Sequence, residues 1–309
     1  MATFAMSDQL LVIIDPVARH TDGEAVRIAK DVLTAGARVK LCLPDSPEEF
    51  ARALRRRGSR RPVVVGDDRA LVRAVTQLHR QRELAGCALS VVPVGAPEAV
   101  ALAHGLGVPA GTVAAARAVL DGEVRRRDLL VDDSDGVVLG ALRIPPVAGA
   151  QGTGAQGAAG GAPSGPSWVR TCRSLVRGLA AVRPVRAGVA VAPGGGRAAP
   201  SRLRVEVDGE TLIDLDRPVQ AVTVTPGGRA GAAEVEVRPV SVGAEALPLR
   251  AAGRAVTVTG ADFRYRADAV EAGPVRRRTW VVREGAWAVT VPRPGLGRRA
   301  GQGAGHGPA

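Results

Sequence analysis

Buried strand-like runs and helical segments alternate along the first part of this sequence, and that alternation allows few folds. Residues 10–14 (LLVII) form a continuously apolar run, which is typical of a strand buried on both faces. Similar short runs follow at 39–43, 62–65 and 89–92, separated by segments with helical spacing at 23–35, 47–58 and 69–82. This order predicts a three-layer parallel α/β domain, which we assign to residues 8–128.

The pattern changes after about residue 125. Two apolar runs, 129–131 and 137–139, flank the turn sequence DDSDG and predict a hairpin. Short runs that alternate apolar and polar residues then predict an antiparallel β-sandwich domain over residues 129–292; they lie at 203–207, 219–225, 233–237, 255–259 and 280–282. We expect a flexible Gly/Ala-rich insertion at 145–167, a helix at 168–182, and a disordered tail at 293–309.

The chain is strongly basic, with a formal net charge of +12. Only Lys30 and Lys40 are lysines, and the excess of Arg, Ala, Gly, Pro and Val is what GC-rich coding produces. The charge therefore has two interpretations, coding bias or an anionic partner such as a nucleotide or an acidic lipid headgroup. Aromatic residues make up 2%, which leaves no stacking platform for bases, so we expect no nucleic-acid partner.

Cysteine and histidine are sparse and scattered. The three cysteines form no CxxC pair, and none of the four histidines lies near a cysteine. We therefore expect reduced thiols and no His/Cys metal site. No apolar run reaches the length of a membrane span, which leads us to expect a cytoplasmic protein.

Four residues directly follow the predicted parallel strands: Asp15, Gly66, Asp67 and Gly95. Ligands of α/β proteins bind beyond the carboxyl ends of such strands, so we expect these residues on one binding rim. The stretch VVVGDDRALV at 63–72 has the strand–turn–helix frame of a phosphate loop but a single glycine. The aspartates could equally be turn or helix-cap residues, and the glycines could serve backbone geometry alone.

The order of these motifs resembles the catalytic-domain family of diacylglycerol kinases, the bacterial soluble lipid kinases. IIDPVA at 13–18 stands where that family has a strand ending in Asn-Pro, and VGDDR at 65–69 stands at its GGDGT turn. PVGAPE at 93–98 occupies the place of its PLGTGND segment. Residues 115–129 resemble its next helix and strand, and 203–210 and 254–259 resemble strands of its second domain.

The resemblance implies an ATP-dependent kinase that phosphorylates a lipid hydroxyl, with ATP and Mg²⁺ as cofactors. It implies a nucleotide-binding first domain, a lipid-binding second domain, a lipid-like substrate met by transient membrane-surface contact, and a possible homodimer. Carried over residue by residue, it gives a catalytic pair, Asp67 and Asp268, and metal ligands, Asp67 and Asp68. The nucleotide-binding positions are Asp15, Gly66, Asp67, Arg69 and Gly95.

The sequence departs from the family pattern where phosphate would bind. Val65 and Asp68 replace glycines, Arg69 replaces the threonine, and Pro97 removes an N–H donor. Arg69 could pair with the neighbouring aspartates, or it could itself bind an anion. Two hypotheses follow: a kinase with weakened or lost catalysis, or a non-catalytic pseudo-kinase that binds lipid or nucleotide. Convergence of Asp67, Asp68 and Asp268 at an open cleft would favour a kinase.

Overall fold

The computed structural model describes residues 9–146, 200–228, 231–240 and 247–294. These residues belong to one compact unit, Met1–Val147 with Ala198–Ala309. Most of the predicted insertion, the predicted helix at 168–182, and residues 295–309 of the predicted tail lie outside the described residues.

The first part of the chain forms a parallel sheet with helices, as the alternation predicted. The strands are β1 (Gln9–Ile14), β2 (Arg38–Cys42), β3 (Arg61–Gly66) and β4 (Ala88–Pro93), and they lie in the order β4-β3-β1-β2. Every pairing among them is parallel. The helices are α1 (Pro16–Thr21), α2 (Gly23–Gly36), α3 (Pro47–Arg55), α4 (Asp68–Arg80), α5 (Ala101–Gly105) and α6 (Thr112–Asp121).

The start of α3 shows how local sequence sets these boundaries. Ser46 is the N-cap, and its hydroxyl accepts a hydrogen bond from the Glu49 N–H at 3.2 Å. Pro47 occupies the first helical position, where its missing N–H costs nothing. Phe50 and Leu54 then bury one face of the helix against the parallel sheet core.

The rest of the described chain is antiparallel. Its strands are β5 (Glu123–Asp132), β6 (Val137–Val138), β7 (Leu142–Ile144), β8 (Leu203–Val207), β9 (Glu210–Ile213), β10 (Val219–Thr225), β11 (Ala233–Pro239), β12 (Leu249–Gly253), β13 (Ala255–Ala267) and β14 (Val270–Val291). The predicted hairpin is confirmed, because β5 pairs with β6 in antiparallel register. The main strand order is β12-β11-β10-β7-β13-β14, and it continues into β4, so the whole is one mixed sheet.

The long strand β14 joins the two kinds of sheet. It pairs antiparallel with β13 and β5, and near its end it pairs parallel with β4. Its Trp280 is buried in a cluster with the antiparallel strands, whereas its Trp287 is buried with residues of the parallel sheet. The two cores are therefore held together by continuous backbone. The boundary predicted between 128 and 129 falls inside β5.

No helix in the described parts of the chain is both long and apolar enough to cross a membrane.

Candidate functional site

The predicted rim residues lie together at the carboxyl edge of the parallel sheet. Asp15 follows β1, Gly66 ends β3, and Gly95 follows β4. A Cβ on Gly66 would lie 2.9 Å from the Cβ of Ala70 and 3.0 Å from that of Asp15, so this position has no room for a side chain. Gly95 has a φ of 152°, and a Cβ there would lie 3.7 Å from the Cβ of Asp67.

Asp15 is buried and fully engaged. It is 2% exposed, and one carboxylate oxygen accepts from the Val17 N–H at 2.9 Å, which caps α1. The other oxygen accepts from Nη1 of Arg73 at 2.8 Å. Arg73, which the sequence analysis missed, lies one helical turn after Arg69 on α4, and that spacing was the available signal.

The two adjacent aspartates at the start of α4 accept hydrogen bonds from different parts of the chain. Asp67 is the N-cap of α4, and its carboxylate accepts from the Ala70 N–H at 3.0 Å. Asp68 is 4% exposed, and its two oxygens accept from the N–H groups of Leu102 and Ala103 at 2.8 and 3.0 Å. The pair therefore does not share one ligand position.

The Asp68 carboxylate satisfies the backbone at the beginning of α5. Helix starts leave N–H groups without intrahelical partners, and anions bind there. Burial raises the pKa of Asp68, while its two backbone hydrogen bonds and the nearby His104 act in the opposite direction. The N–H groups at the start of α5 thus donate to a carboxylate of the protein itself.

Asp268 forms a second carboxylate nest in the turn between β13 and β14. Oδ2 accepts from the Leu139 N–H at 2.7 Å, and Oδ1 accepts from Gly140 and Ala141 at 2.7 and 2.9 Å. The pKa of Asp268 is raised to about 6. Burial is the largest cause and the charge of Asp68 adds to it, while the hydrogen bonds from the three N–H groups act in the opposite direction.

The two nests are neighbours. A Cβ on Gly140 would lie 2.6 Å from Cδ1 of Leu102 and 3.1 Å from Oδ1 of Asp268. Asp68 and Asp268 therefore lie near each other, and each carboxylate accepts hydrogen bonds from backbone N–H groups. Asp67 lies instead beside Gly95 on the rim.

The carboxylates of Asp67 and Asp68 already accept hydrogen bonds from backbone N–H groups. A magnesium ion at this position would share the two oxygens of Asp68 with the N–H groups of Leu102 and Ala103. Among the described residues, no group of three or more His, Cys, Asp or Glu could hold a metal ion. The assignment of Asp67 and Asp68 as metal ligands stays a prediction.

Arg69 lies on a different face of α4 from Asp68. It is exposed, and it makes no ion pair with any residue that the structure describes. It lines a cavity of about 450 Å³ between α4 and the turn that carries Asp268. The cavity is lined by Arg69, Val72, Arg73, Thr76, Gln77, Ala269, Val270 and Glu271. Arg69 therefore does not fill the phosphate position by pairing with Asp67 or Asp68.

Comparison with known proteins identifies the fold. No protein-family model matches this sequence, and no curated protein matches it either. The structure is similar to one described as "a putative diacylglycerol kinase" from Bacillus anthracis str. Sterne, with a TM-score of 0.67, 12% identity, and coverage of 93% of this chain and 98% of that one. A diacylglycerol kinase structure from the same organism gives a TM-score of 0.63 at 11% identity, over 94% of this chain and 98% of that one.

The fold of this chain is therefore that of these proteins across nearly its full length, which confirms the resemblance predicted from the order of the motifs.

Proposed function

We propose that this chain is a diacylglycerol-kinase-like protein that binds a lipid and in which ATP-dependent phosphoryl transfer is weakened or lost. The similarity to proteins described as diacylglycerol kinases supports the lipid-kinase-like class. Within this proposal, the α/β domain at 8–128 corresponds to the nucleotide-binding part. The second predicted region, 129–292, whose described strands are antiparallel, corresponds to the lipid-binding part.

The observation that carries the proposal is the position of the Asp68 carboxylate. Its two oxygens accept from Leu102 and Ala103 at 2.8 and 3.0 Å, where a phosphate would need those N–H groups. A phosphate brought to the same place would meet a buried negative charge without a cation between them. Since phosphoryl transfer depends on cradling the phosphates and neutralising their charge, this exchange of glycine for aspartate removes the main requirement.

The state of Asp268 supports the same conclusion. An acceptor-side carboxylate must reach the substrate hydroxyl to orient it or to take its proton. Here its two oxygens accept three backbone hydrogen bonds from Leu139, Gly140 and Ala141. Asp268 is therefore a structural ligand of that loop in this arrangement.

Calorimetry with Mg²⁺ and ATP tests the proposal on the wild-type protein and on Asp67→Asn. Asparagine keeps the helix cap and removes the charge, so the variant should fold as the wild type does. We expect no magnesium-dependent binding at millimolar ATP from either protein. Micromolar, magnesium-dependent binding to the wild type that is lost in Asp67→Asn would contradict the exclusion of phosphate by Asp68 and revive the kinase hypothesis.

A further inference from the structure

The cavity between α4 and the β13–β14 turn contains a positive charge that the fold does not explain. Arg69 stands in the first turn of α4, where the helix dipole makes a cation unfavourable. Asp67 and Asp68 stand beside it in sequence, yet their carboxylates bond to Ala70, Leu102 and Ala103 instead. The helix therefore gains nothing from this arginine through the contacts that the structure describes.

The other charges that line the cavity are offset. Arg73 is bonded to Asp15 at 2.8 Å, and its guanidinium lies 5.5 Å from the centre of the Phe50 ring. Glu271 lies 3.7 Å from Nη1 of Arg264. Arg73 and Glu271 each have an oppositely charged partner. Among the charged residues that line the cavity, Arg69 is the one for which the described residues provide no such partner.

The remaining walls suit a molecule that is partly apolar. Val270, at the start of β14, is 45% exposed and adds an apolar surface to the lining. Val72 forms part of the wall on α4, and Gln77 adds an amide group. A volume of about 450 Å³ is in the range of small-molecule sites, with room for a headgroup and the beginning of its acyl chains.

We propose that this cavity binds the phosphate of a phosphorylated lipid headgroup, with Arg69 as its main ligand. In this proposal Val270 contacts the apolar part of the lipid next to the headgroup. The choice of a lipid rests on the function proposed above. The recognition of phosphate rests only on Arg69 and the cavity. No bond is made or broken, so binding requires neither ATP nor a metal ion.

The test is a binding measurement without ATP. Wild-type protein is titrated with phosphatidylcholine vesicles that contain phosphatidic acid and, separately, with vesicles of phosphatidylcholine alone. Arg69→Gln removes the charge and keeps much of the side-chain length. Arg117→Gln is the matched control, because Arg117 is exposed on α6, outside the cavity, and its replacement changes the net charge by the same amount.

We expect Arg69→Gln to weaken binding to the phosphatidic acid vesicles about tenfold, the loss of one charge-assisted hydrogen bond, and Arg117→Gln to leave it nearly unchanged. Equal weakening by the two variants would show that net charge alone drives binding and would overturn the proposal. Equal binding of the wild type to both kinds of vesicle would also overturn it.

A competition arm identifies the source of the phosphate. If soluble glycerol phosphate displaces the vesicles in an Arg69-dependent way, the cavity recognises the phosphate itself. If it does not, while vesicle binding still depends on Arg69, the cavity recognises phosphate only as part of a lipid. Both results support the site. Because ATP is absent throughout, they remain interpretable whether or not the protein transfers phosphate.

Discussion

The two faces of α4 handle charge in opposite ways. On the face toward α5, Asp68 is buried, and its two oxygens accept hydrogen bonds from backbone N–H groups. On the face toward the β13–β14 turn, Arg69 is exposed, unpaired among the described residues, and adjacent to a cavity of about 450 Å³. On the first face the Asp68 side chain occupies the N–H groups of α5, and on the second the cavity beside Arg69 is accessible to a ligand.

The strand–turn–helix frame typical of a phosphate loop is therefore present here beside a carboxylate that accepts from the start of α5. The turn after β3 retains its buried strand, its close-packed Gly66 and its capped helix. The negative charge beside the start of α5 is that of Asp68. We expect a ligand anion near this helix to bind on the face that carries Arg69.

The largest stability effect should come from removing the Asp268 nest. Asp268→Ala leaves three backbone N–H groups without their acceptor, and it places alanine at a φ of 51°, which aspartate tolerates better. We expect the free energy of unfolding, measured by urea denaturation, to fall by about 2–4 kcal/mol. Asp262→Ala is the control, because its ion pair with Arg276 is on the surface. An equal loss from both variants would contradict the structural role of Asp268.

The pH dependence of stability should report the same nest. The folded pKa of Asp268, about 6, lies above the reference value of 3.8, so between these values the folded protein keeps a proton that the unfolded chain has released. The resulting stability is complete below the lower value and is lost as the pH rises through the upper one. We expect a fall on the order of 2–3 kcal/mol for the wild type relative to Asp268→Asn, from urea denaturation at a series of pH values. If the free energies of unfolding of the wild type and Asp268→Asn changed in parallel with pH, Asp268 would not be the titrating group.

A smaller effect should separate the two aspartates at the start of α4. Asp68→Ala leaves two backbone N–H groups of α5 unsatisfied, and we expect a loss of about 2 kcal/mol; Asp67→Ala removes one cap and should cost about 1 kcal/mol. Hydrogen exchange gives the sharper readout. The amides of Leu102 and Ala103 should lose protection in Asp68→Ala and keep it in Asp67→Ala. Unchanged protection in both variants would mean that Asp68 does not hold α5.

The smallest effect should have the opposite sign. Arg69→Gln removes a cation from the first turn of α4 and should stabilise the ligand-free protein by about 0.3–1 kcal/mol. Arg80→Gln removes an exposed cation from the last turn of the same helix and should destabilise it by a similar amount. The two melting temperatures should move in opposite directions. A loss of stability in Arg69→Gln would mean that this arginine has a structural partner.

Many of the helices and strands could be predicted because the spacing of apolar residues and the turn residues are properties of the local sequence. The strands predicted at 203–207 and 219–225 have those bounds in the structure. By contrast, β14 spans 22 residues where three were predicted. Arg276–Arg278, Gly273 and Pro274 interrupt the apolar pattern there, and pairing with β13 and β5 holds the strand despite them.

The rim of the candidate site was predictable, and its contacts were not. Asp15, Gly66, Asp67 and Gly95 each follow a strand, so a parallel sheet brings them to one edge. The partners of Asp68 lie 34 and 35 residues away, and those of Asp268 lie 127 to 129 residues away. Nothing in the local sequence distinguishes a metal-binding aspartate from one that caps a distant loop.

An activity measurement decides whether Asp68 prevents phosphoryl transfer by filling the anion position. Labelled ATP and Mg²⁺ are incubated with diacylglycerol vesicles and either the wild type or Asp67→Asn, and labelled lipid is counted. The account predicts the same background from both proteins. Magnesium-dependent labelling of the lipid by the wild type that disappears in Asp67→Asn would contradict it.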